Sequence, residues 1–307
     1  MDGANAATGG SATLGAVSRK PFVPRELQGR VFRGSDAVAR GLVTARQLQG
    51  RAWRRLYRDV YADAVLPDTH RLRCEGAALL LPPGSAVSGR SAACVRGLPL
   101  GERDDPVLAI VPPSTSGRAI SGVRLRRAVL SSDEIRPGRT PTTQPLRTAC
   151  EIAREPDLIE AVAGLDVLLR HRHVRAAELM AWARVRPHSR AAQAIRLADG
   201  RAESPQESRT RVRLVLAGLP PPVPQYEVWW GGFFRGRVDF AWPEQRVILE
   251  YDGVWHAAAA QLIRDRRRLN DLIADGWVVL HATIADLADD QAFEALVGKL
   301  RHALRTR

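Results

Sequence analysis

Two strand-like runs carry acid where an apolar strand has no use for it. They are Arg237-Val238-Asp239-Phe240-Ala241-Trp242 and Val247-Ile248-Leu249-Glu250-Tyr251-Asp252-Gly253, with His256 just beyond. Alternate residues of a strand point to one face. Glu250 and Asp252 therefore share a face, opposite Val247, Leu249 and Tyr251, and Asp239 opposes Val238 and Phe240. Pairing the two runs as neighbours gathers three carboxylates at one place on a sheet. Carboxylates that close repel unless a proton or a cation lies between them. Hard divalent cations take oxygen ligands of this kind, and a metal held between carboxylates most often serves phosphate chemistry. The expected cofactor is Mg²⁺, or Mn²⁺ in its place, on Asp239, Glu250 and Asp252.

At 307 residues the chain has room for two or three domains, and its 45% apolar content is that of a globular protein. No run is long enough for a membrane span and residues 1–18 lack a signal-peptide core, so the expectation is a cytoplasmic protein without a membrane partner. Cys74, Cys94 and Cys150 are too scattered for a disulfide framework or a metal knuckle and read as buried apolar residues. The net charge is +13 and the only lysines are Lys20 and Lys299. Residues 19–58 hold eleven basic and two acidic residues, a net of +9, whereas residues 201–307 hold fifteen and fourteen, a net of +1. The positive field is at the front of the chain and the acids are at the back. A concentrated basic segment suits a polyanion, most simply DNA or RNA; a plain solvated face is the alternative.

Residues 1–24 are small and polar and read as a disordered lead. Ser35-Asp36 caps a short helix that Gly41 ends, and Thr44 with Gln47 has capping-box spacing for a second helix through about Gly50. Trp53 to Tyr61 then reads as two short basic strands. Helix, turn, helix and basic hairpin is the plan of a winged helix over residues 25–68, whose second helix enters a groove of DNA. Residues 69–200 read as an α/β segment followed by Ala-rich helices, a connecting domain without nameable chemistry. From 201 to 307, Ser204-Pro205-Gln206-Glu207 opens a helix. Strands follow at 225–230 and 233–242 across Gly231-Gly232, and again at 246–252. A helix after His256, with Leu262, Leu269 and Ile273 on its buried face, precedes a strand at 277–280 and a closing helix at 286–304. The order α-β-β-β-α-β-α specifies a mixed sheet flanked by helices, and the chain as a whole is multi-domain α/β. Glu207 is explained by its capping box alone and is equally a fourth acid for the cluster.

The front segment resembles the winged-helix domain of AbiEi-type antitoxins of type IV toxin–antitoxin systems. The likeness covers residues 26–65 and rests on Gly41-Leu42-Val43-Thr44 and Tyr57-Arg58-Asp59-Val60-Tyr61-Ala62. It implies DNA contacts from Arg46, Gln47, Gln49, Arg51, Arg54, Arg55 and Arg58, and a cognate toxin as partner. The rear segment resembles the PD-(D/E)XK nuclease superfamily, and within it the very-short-patch-repair (Vsr)-like endonucleases and the related domain family numbered 559. That likeness spans about residues 203–304. It rests on Arg237 to Phe240, Val247 to Gly253, His256, Arg264-Asp265-Arg266-Arg267 and Gly276 to Leu280. It implies a restriction-endonuclease-like fold with Asp239 and Glu250 as metal ligands and Glu207 as the acid of the first helix.

The superfamily usually has lysine two residues after the second acid, and here Asp252 stands there. His256, with a pKa near neutrality, is then the nearest general base, and Arg266 the candidate for transition-state charge. Three functions follow as expectations. The first is a Mg²⁺-dependent endonuclease acting on DNA, duplex DNA first. The second is an antitoxin-like DNA-binding regulator with an inactive nuclease fold. The third is a protein-interaction scaffold.

Overall fold

The computed structural model describes residues 23–116, 119–252 and 259–306, with the side chains of Asp252 and of residues 259–265 outside that description. His256 and nearly all of the expected disordered lead also lie outside the described residues. The protein is mixed α/β and divides into two compact units, Met1–Pro67 and Asp68–Arg307. Among the described residues no helix is long and apolar enough to cross a membrane.

The first unit runs β1 (Val31–Arg33), α1 (Gly34–Ala39), β2 (Trp53–Tyr57) and β3 (Val60–Asp63), in a sheet of order β1-β3-β2 with antiparallel pairs. Gly41 ends α1 with φ 67°, a conformation glycine adopts without steric cost. The Thr44 box forms as expected: Thr44 N donates to Gln47 Oε1 at 2.7 Å, and Gln47 N to Thr44 Oγ1 at 3.2 Å. What it opens is a single 3-10 turn, Gln47–Gln49, because Gly50 is already extended and β2 begins three residues later. The expected second helix is thus one turn long, too short to propagate as an α-helix. Leu27, Ala37, Val43, Leu48, Ala52 and Trp53 form the core of this unit.

The second unit opens with α2 (His70–Ala78), β4 (Ala86–Val87), α3 (Gly89–Val95), β5 (Val107–Val111), β6 (Val123–Arg127), β7 (Ile135–Arg136) and β8 (Thr142–Thr143). The strands form a mixed sheet of order β6-β5-β4-β8-β7. Helices α4 (Pro145–Ile152), α5 (Leu158–Arg170), α6 (Ala176–Arg184) and α7 (Arg190–Leu197) follow and enclose an Ala- and Leu-rich core. Cys74 and Cys150 are buried in this part and Cys94 is half-buried, all three as free thiols.

The chain continues as α8 (Pro205–Leu216), β9 (Val223–Trp230), β10 (Phe233–Trp242), β11 (Val247–Asp252), α9 (Ala259–Ala274), β12 (Val278–Thr283), α10 (Ile284–Ala288) and α11 (Asp290–Arg305). The expected closing helix is two helices, since Thr283 and Asp289 each cap a start of their own. Gly231 and Gly232, at φ 56° and 82°, make the tight hairpin turn between β9 and β10. The sheet order is β12-β11-β10-β9, with β11 and β12 parallel and the other pairs antiparallel. One core packs Phe240, Trp242, Val247 and Leu249 against Leu214 of α8 and Leu296, Val297 and Leu300 of α11. The other packs Ala241 and Ile248 against Leu272 and Trp277.

Helix α8 belongs to two cores. Leu214 joins the sheet, while Val212 joins the helical core of α4 to α7. On that second side Arg211 donates to Asp166 of α5 at 2.9 Å, both side chains buried, and Arg209 pairs with Glu160 of α5 at 2.5 Å. The sheet and the preceding helices are thereby one compact unit.

Candidate active site

Register places the acids before any side-chain contact is considered. Phe240 pairs with Leu249, so Asp239 stands opposite Glu250. Val238 pairs with Tyr226 and Phe240 with Pro224, so Gln225 stands opposite Asp239 on the other side. In the parallel pair Glu250 is level with His281, an exposed residue of β12. Residues opposite one another on paired strands share a face. A row Gln225, Asp239, Glu250, His281 thus crosses all four strands.

Hydrogen bonds tie the row to α8. Gln225 Nε2 donates to Glu207 Oε2 at 2.8 Å and to Asp239 Oδ1 at 3.3 Å. Tyr251 N donates to Asp239 Oδ2 at 2.8 Å, and Asp239 N to Glu250 Oε2 at 3.4 Å. Ser204 Oγ caps α8 by accepting from Glu207 N at 3.1 Å. The Glu207 carboxylate does not return to the Ser204 N–H as a capping box would have it. It accepts instead from Glu203 N at 2.9 Å and from Gln225. Glu207 is thus both near the helix start and part of the acid group. Gln225 itself has φ 52°, a left-handed backbone that costs an L-residue about 1–2 kcal/mol. Such a conformation persists where the surroundings over-determine it, here through the two carboxylates that Gln225 bridges.

The electrostatics follow from crowding. Burial, then the charges of Glu250 and Glu207, push the Asp239 carboxyl up to about 6 against the opposing bonds from Tyr251 and Gln225. Glu207 and Glu250 are themselves buried. Arg268 of α9 meets this charge: its Nη1 donates to Glu250 Oε1 at 2.8 Å. Its chain lies over Gly236, where an added Cβ would come within 2.9 Å of Arg268 Cδ. Helix α9 turns 100° per residue, and Arg268, Leu272 and Asp275 form the stripe that meets the sheet, with Leu272 1% exposed and Asp275 paired to Arg235 at 2.6 Å. Arg266 lies about 200° round from Arg268 and is exposed. Ile273, expected on the buried face, is 54% exposed. Among the described residues the cation beside the acids is therefore Arg268.

Burial of mutually repelling acids, which keeps Asp239 from ionising readily, is the condition a divalent ion relieves. Mg²⁺ is typically held by one or two carboxylates, its own waters and substrate phosphate, and the carboxylates this row presents are Asp239 and Glu250. Among the described residues no group of three or more His, Cys, Asp or Glu is placed to hold an ion. Asp252, the third expected ligand, ends β11, but its side chain lies outside the described residues.

Two uncharacterized proteins of Mycobacterium tuberculosis, from strains H37Rv and CDC 1551 / Oshkosh, are each 38% identical to the chain over 150 residues. The match covers 47% of this chain and 55% of each relative, so the chain spans about half the length of the curated relatives it matches. No family model and no solved structure matches the chain.

In the first unit Arg46, Gln47, Gln49, Arg51, Arg55 and Arg58 are exposed, on the 3-10 turn, on β2 and in the turns beside them. Arg54 is different. It is half-buried, and its guanidinium donates to the carbonyls of Leu66 at 2.6 Å and Ala64 at 3.4 Å, holding the end of the unit against β2. Arg54→Ala is expected to cost about 1.5–3 kcal/mol, the worth of hydrogen bonds from a charged group, whereas Arg46→Ala leaves stability within about 0.5 kcal/mol. Urea unfolding followed by circular dichroism compares the two; equal midpoints would show that Arg54 carries no such load.

Proposed function

We propose that the protein is a divalent-metal-dependent endonuclease acting on DNA, with the Asp239–Glu250 pair as its catalytic centre and the exposed arginines of residues 46–58 as a second, sequence-independent hold on the phosphate backbone. The single observation that carries this reading is the row of Gln225, Asp239 and Glu250 joined to Glu207, with Asp239 pushed up to about 6 by burial first and then by its acidic neighbours. Asp239 and Glu250 would hold Mg²⁺ or Mn²⁺, with Asp252 as the third ligand by sequence. The bound ion would supply a Lewis acid for the scissile phosphate and a water of lowered pKa.

The chain's own residues have separable tasks. Gln225 holds Asp239 and Glu207 in place through one amide. Tyr251 N–H fixes the second oxygen of Asp239. Arg268 neutralises Glu250 in the free protein and supplies, in the row of acids, the positive charge that Asp252 cannot. His256 remains the proposed general base. The test is incubation of plasmid and of mismatched duplex with the purified chain in Mg²⁺, Mn²⁺ or EDTA. Cutting with either ion and none in EDTA is expected; intact DNA under all three overturns the proposal.

A second reading, an antitoxin-like regulator whose nuclease fold is inactive, draws on one observation: a guanidinium already sits on Glu250. It requires duplex binding that is salt-sensitive and indifferent to Mg²⁺, and that falls with Arg46→Ala and Arg51→Ala but not with Asp239→Asn. Calorimetric titration with Mn²⁺ separates the two readings, since only the first requires heat that Glu250→Gln removes.

A further inference from the structure

The tip of the β9–β10 hairpin exposes four aromatic rings in sequence: Trp229 at 56%, Trp230 at 42%, Phe233 at 70% and Phe234 at 53%. They are cross-strand partners, Trp230 with Phe233 and Trp229 with Phe234. The Trp229 and Phe234 rings lie 5.1 Å apart, and the Arg246 guanidinium lies 4.8 Å from the centre of the Trp230 ring. None of the four belongs to a hydrophobic core of the unit. Adjacent strand residues alternate faces, so the Trp229–Phe234 and Trp230–Phe233 pairs lie on opposite faces of the ribbon, and large aromatic rings left in water mark a binding surface.

The tip is also held in place. Next to it the ladder breaks its register between Phe234 and Gly236, and Arg235 grips Asp275 at the end of α9 through two bonds of 2.6 and 3.2 Å. The rings are thus presented on an anchored ribbon, which lowers the entropy lost on binding.

We propose that this tip is a stacking platform for the bases of an unpaired DNA strand whose backbone passes the acid row. The inference rests on the endonuclease reading and adds to it the substrate form: DNA with single-stranded character a few nucleotides from the cut. Three observations favour it. Aromatic faces with a guanidinium beside them are the chemistry that takes up bases irrespective of sequence. The same two strands that carry the rings carry Gln225 and Asp239, so platform and acids belong to one ribbon. From Phe234 to Asp239 is a reach of at most about 16 Å at roughly 3.3 Å per residue, or up to about five nucleotides at roughly 3.4 Å each.

The experiment uses the full chain in EDTA, where no cutting occurs, and compares parent, Trp229→Ala/Phe234→Ala and Trp230→Ala/Phe233→Ala. Fluorescence anisotropy measures binding of a labelled single-stranded 20-mer and of the same sequence as blunt duplex. Because the substituted rings are exposed, thermal melts should agree, and they verify folding. The single strand should bind about 5- to 150-fold more weakly to at least one of the two double variants, the equivalent of one stacked base. The duplex, held by charge alone, should change less than about twofold, and quenching of tryptophan fluorescence by the single strand should shrink. Undiminished single-strand binding, or equal losses on both DNAs, overturns the platform. So does a result in which the variants lose only sedimentation with anionic vesicles or only self-association, which would assign the tip to lipid or to a second copy. A parent that shows the stacking effect yet cuts nothing in Mg²⁺ or Mn²⁺ defeats the endonuclease reading and leaves the platform standing.

Discussion

Asp239→Asn is expected to abolish metal-dependent cleavage and, at the same time, to make the protein more stable at neutral pH. The first effect should reach at least about 10²-fold, since loss of even an outer-shell partner of a metal ligand costs roughly 10- to 100-fold. The second follows from linkage. The Asp239 carboxyl is held at about 6 in the folded chain by burial and by Glu250 and Glu207, against an ordinary value of 3.8. A folded-state pKa raised in this way contributes stability that is fully present below pH 4 and is lost as pH rises through about 6. Above that pH the ionised carboxylate is a net cost, about 1–2 kcal/mol once partial exposure to solvent is allowed for. Asparagine keeps the shape and removes the charge. Thermal melts of parent and variant should therefore diverge in favour of the variant at pH 7.5 and converge or reverse at pH 4. A variant that cuts like the parent sinks the site; one that melts no later at pH 7.5 sinks the account of its electrostatics.

Arg211→Met should be the most destabilising of the substitutions considered, by about 3–5 kcal/mol, because it strands a buried carboxylate. Asp166 is 2% exposed, accepts from Asp199 N at 2.6 Å as well as from Arg211, and is pushed up to about 6 chiefly by burial although Arg211 pulls it down. Without the guanidinium it climbs further, so the penalty for burying it is small at pH 5 and grows as pH rises towards 8, where the unfolded chain holds it ionised. The melting temperature of the variant should accordingly drop by roughly 10 °C or more near pH 8 and by clearly less at pH 5. Adding Asp166→Asn to Arg211→Met should recover much of the loss, since an amide can keep a bond to Asp199 without a charge to desolvate. A loss that is the same at both pH values, or that the second substitution deepens, would show that the pair is not what secures α8.

The acid-bearing strands were readable from the chain because alternation is a local property: two residues on, the same face. That put Asp239 and Glu250 on one side of β10 and β11, as their register has them. The hairpin at Gly231-Gly232 was readable because two successive glycines mark a turn with positive φ. Helix α9 shows where such reading stops. Leu262, Leu269 and Ile273 make one plausible stripe and Arg268, Leu272 and Asp275 another; Ile273 of the first is exposed, the Leu262 side chain lies outside the described residues, and the second meets the sheet. The choice was made by partners distant in sequence, Glu250 and Arg235, each of which offers a charged group an ion pair. For that reason Arg266 was the expected cation and Arg268 is the one beside the acids. Gln225 gave no signal at all, since nothing in a lone glutamine opening a strand foretells a left-handed backbone or a bond to two acids. Arg211 and Asp166, 45 positions apart, were equally silent.

Helix α8 serves the sheet with Leu214 and Glu207 and the preceding bundle with Val212 and Arg211. In evolutionary terms, such a helix makes the bundle difficult to discard. A descendant that lost residues 69–200 would present a bare aliphatic residue and an orphaned guanidinium to water, and would have to recolour that side with solvent-loving residues before the sheet was soluble alone. Inheritance of the acid row is thus yoked to inheritance of α5, and homologous chains that keep Val212 and Arg211 together should be found to keep Asp166 with them.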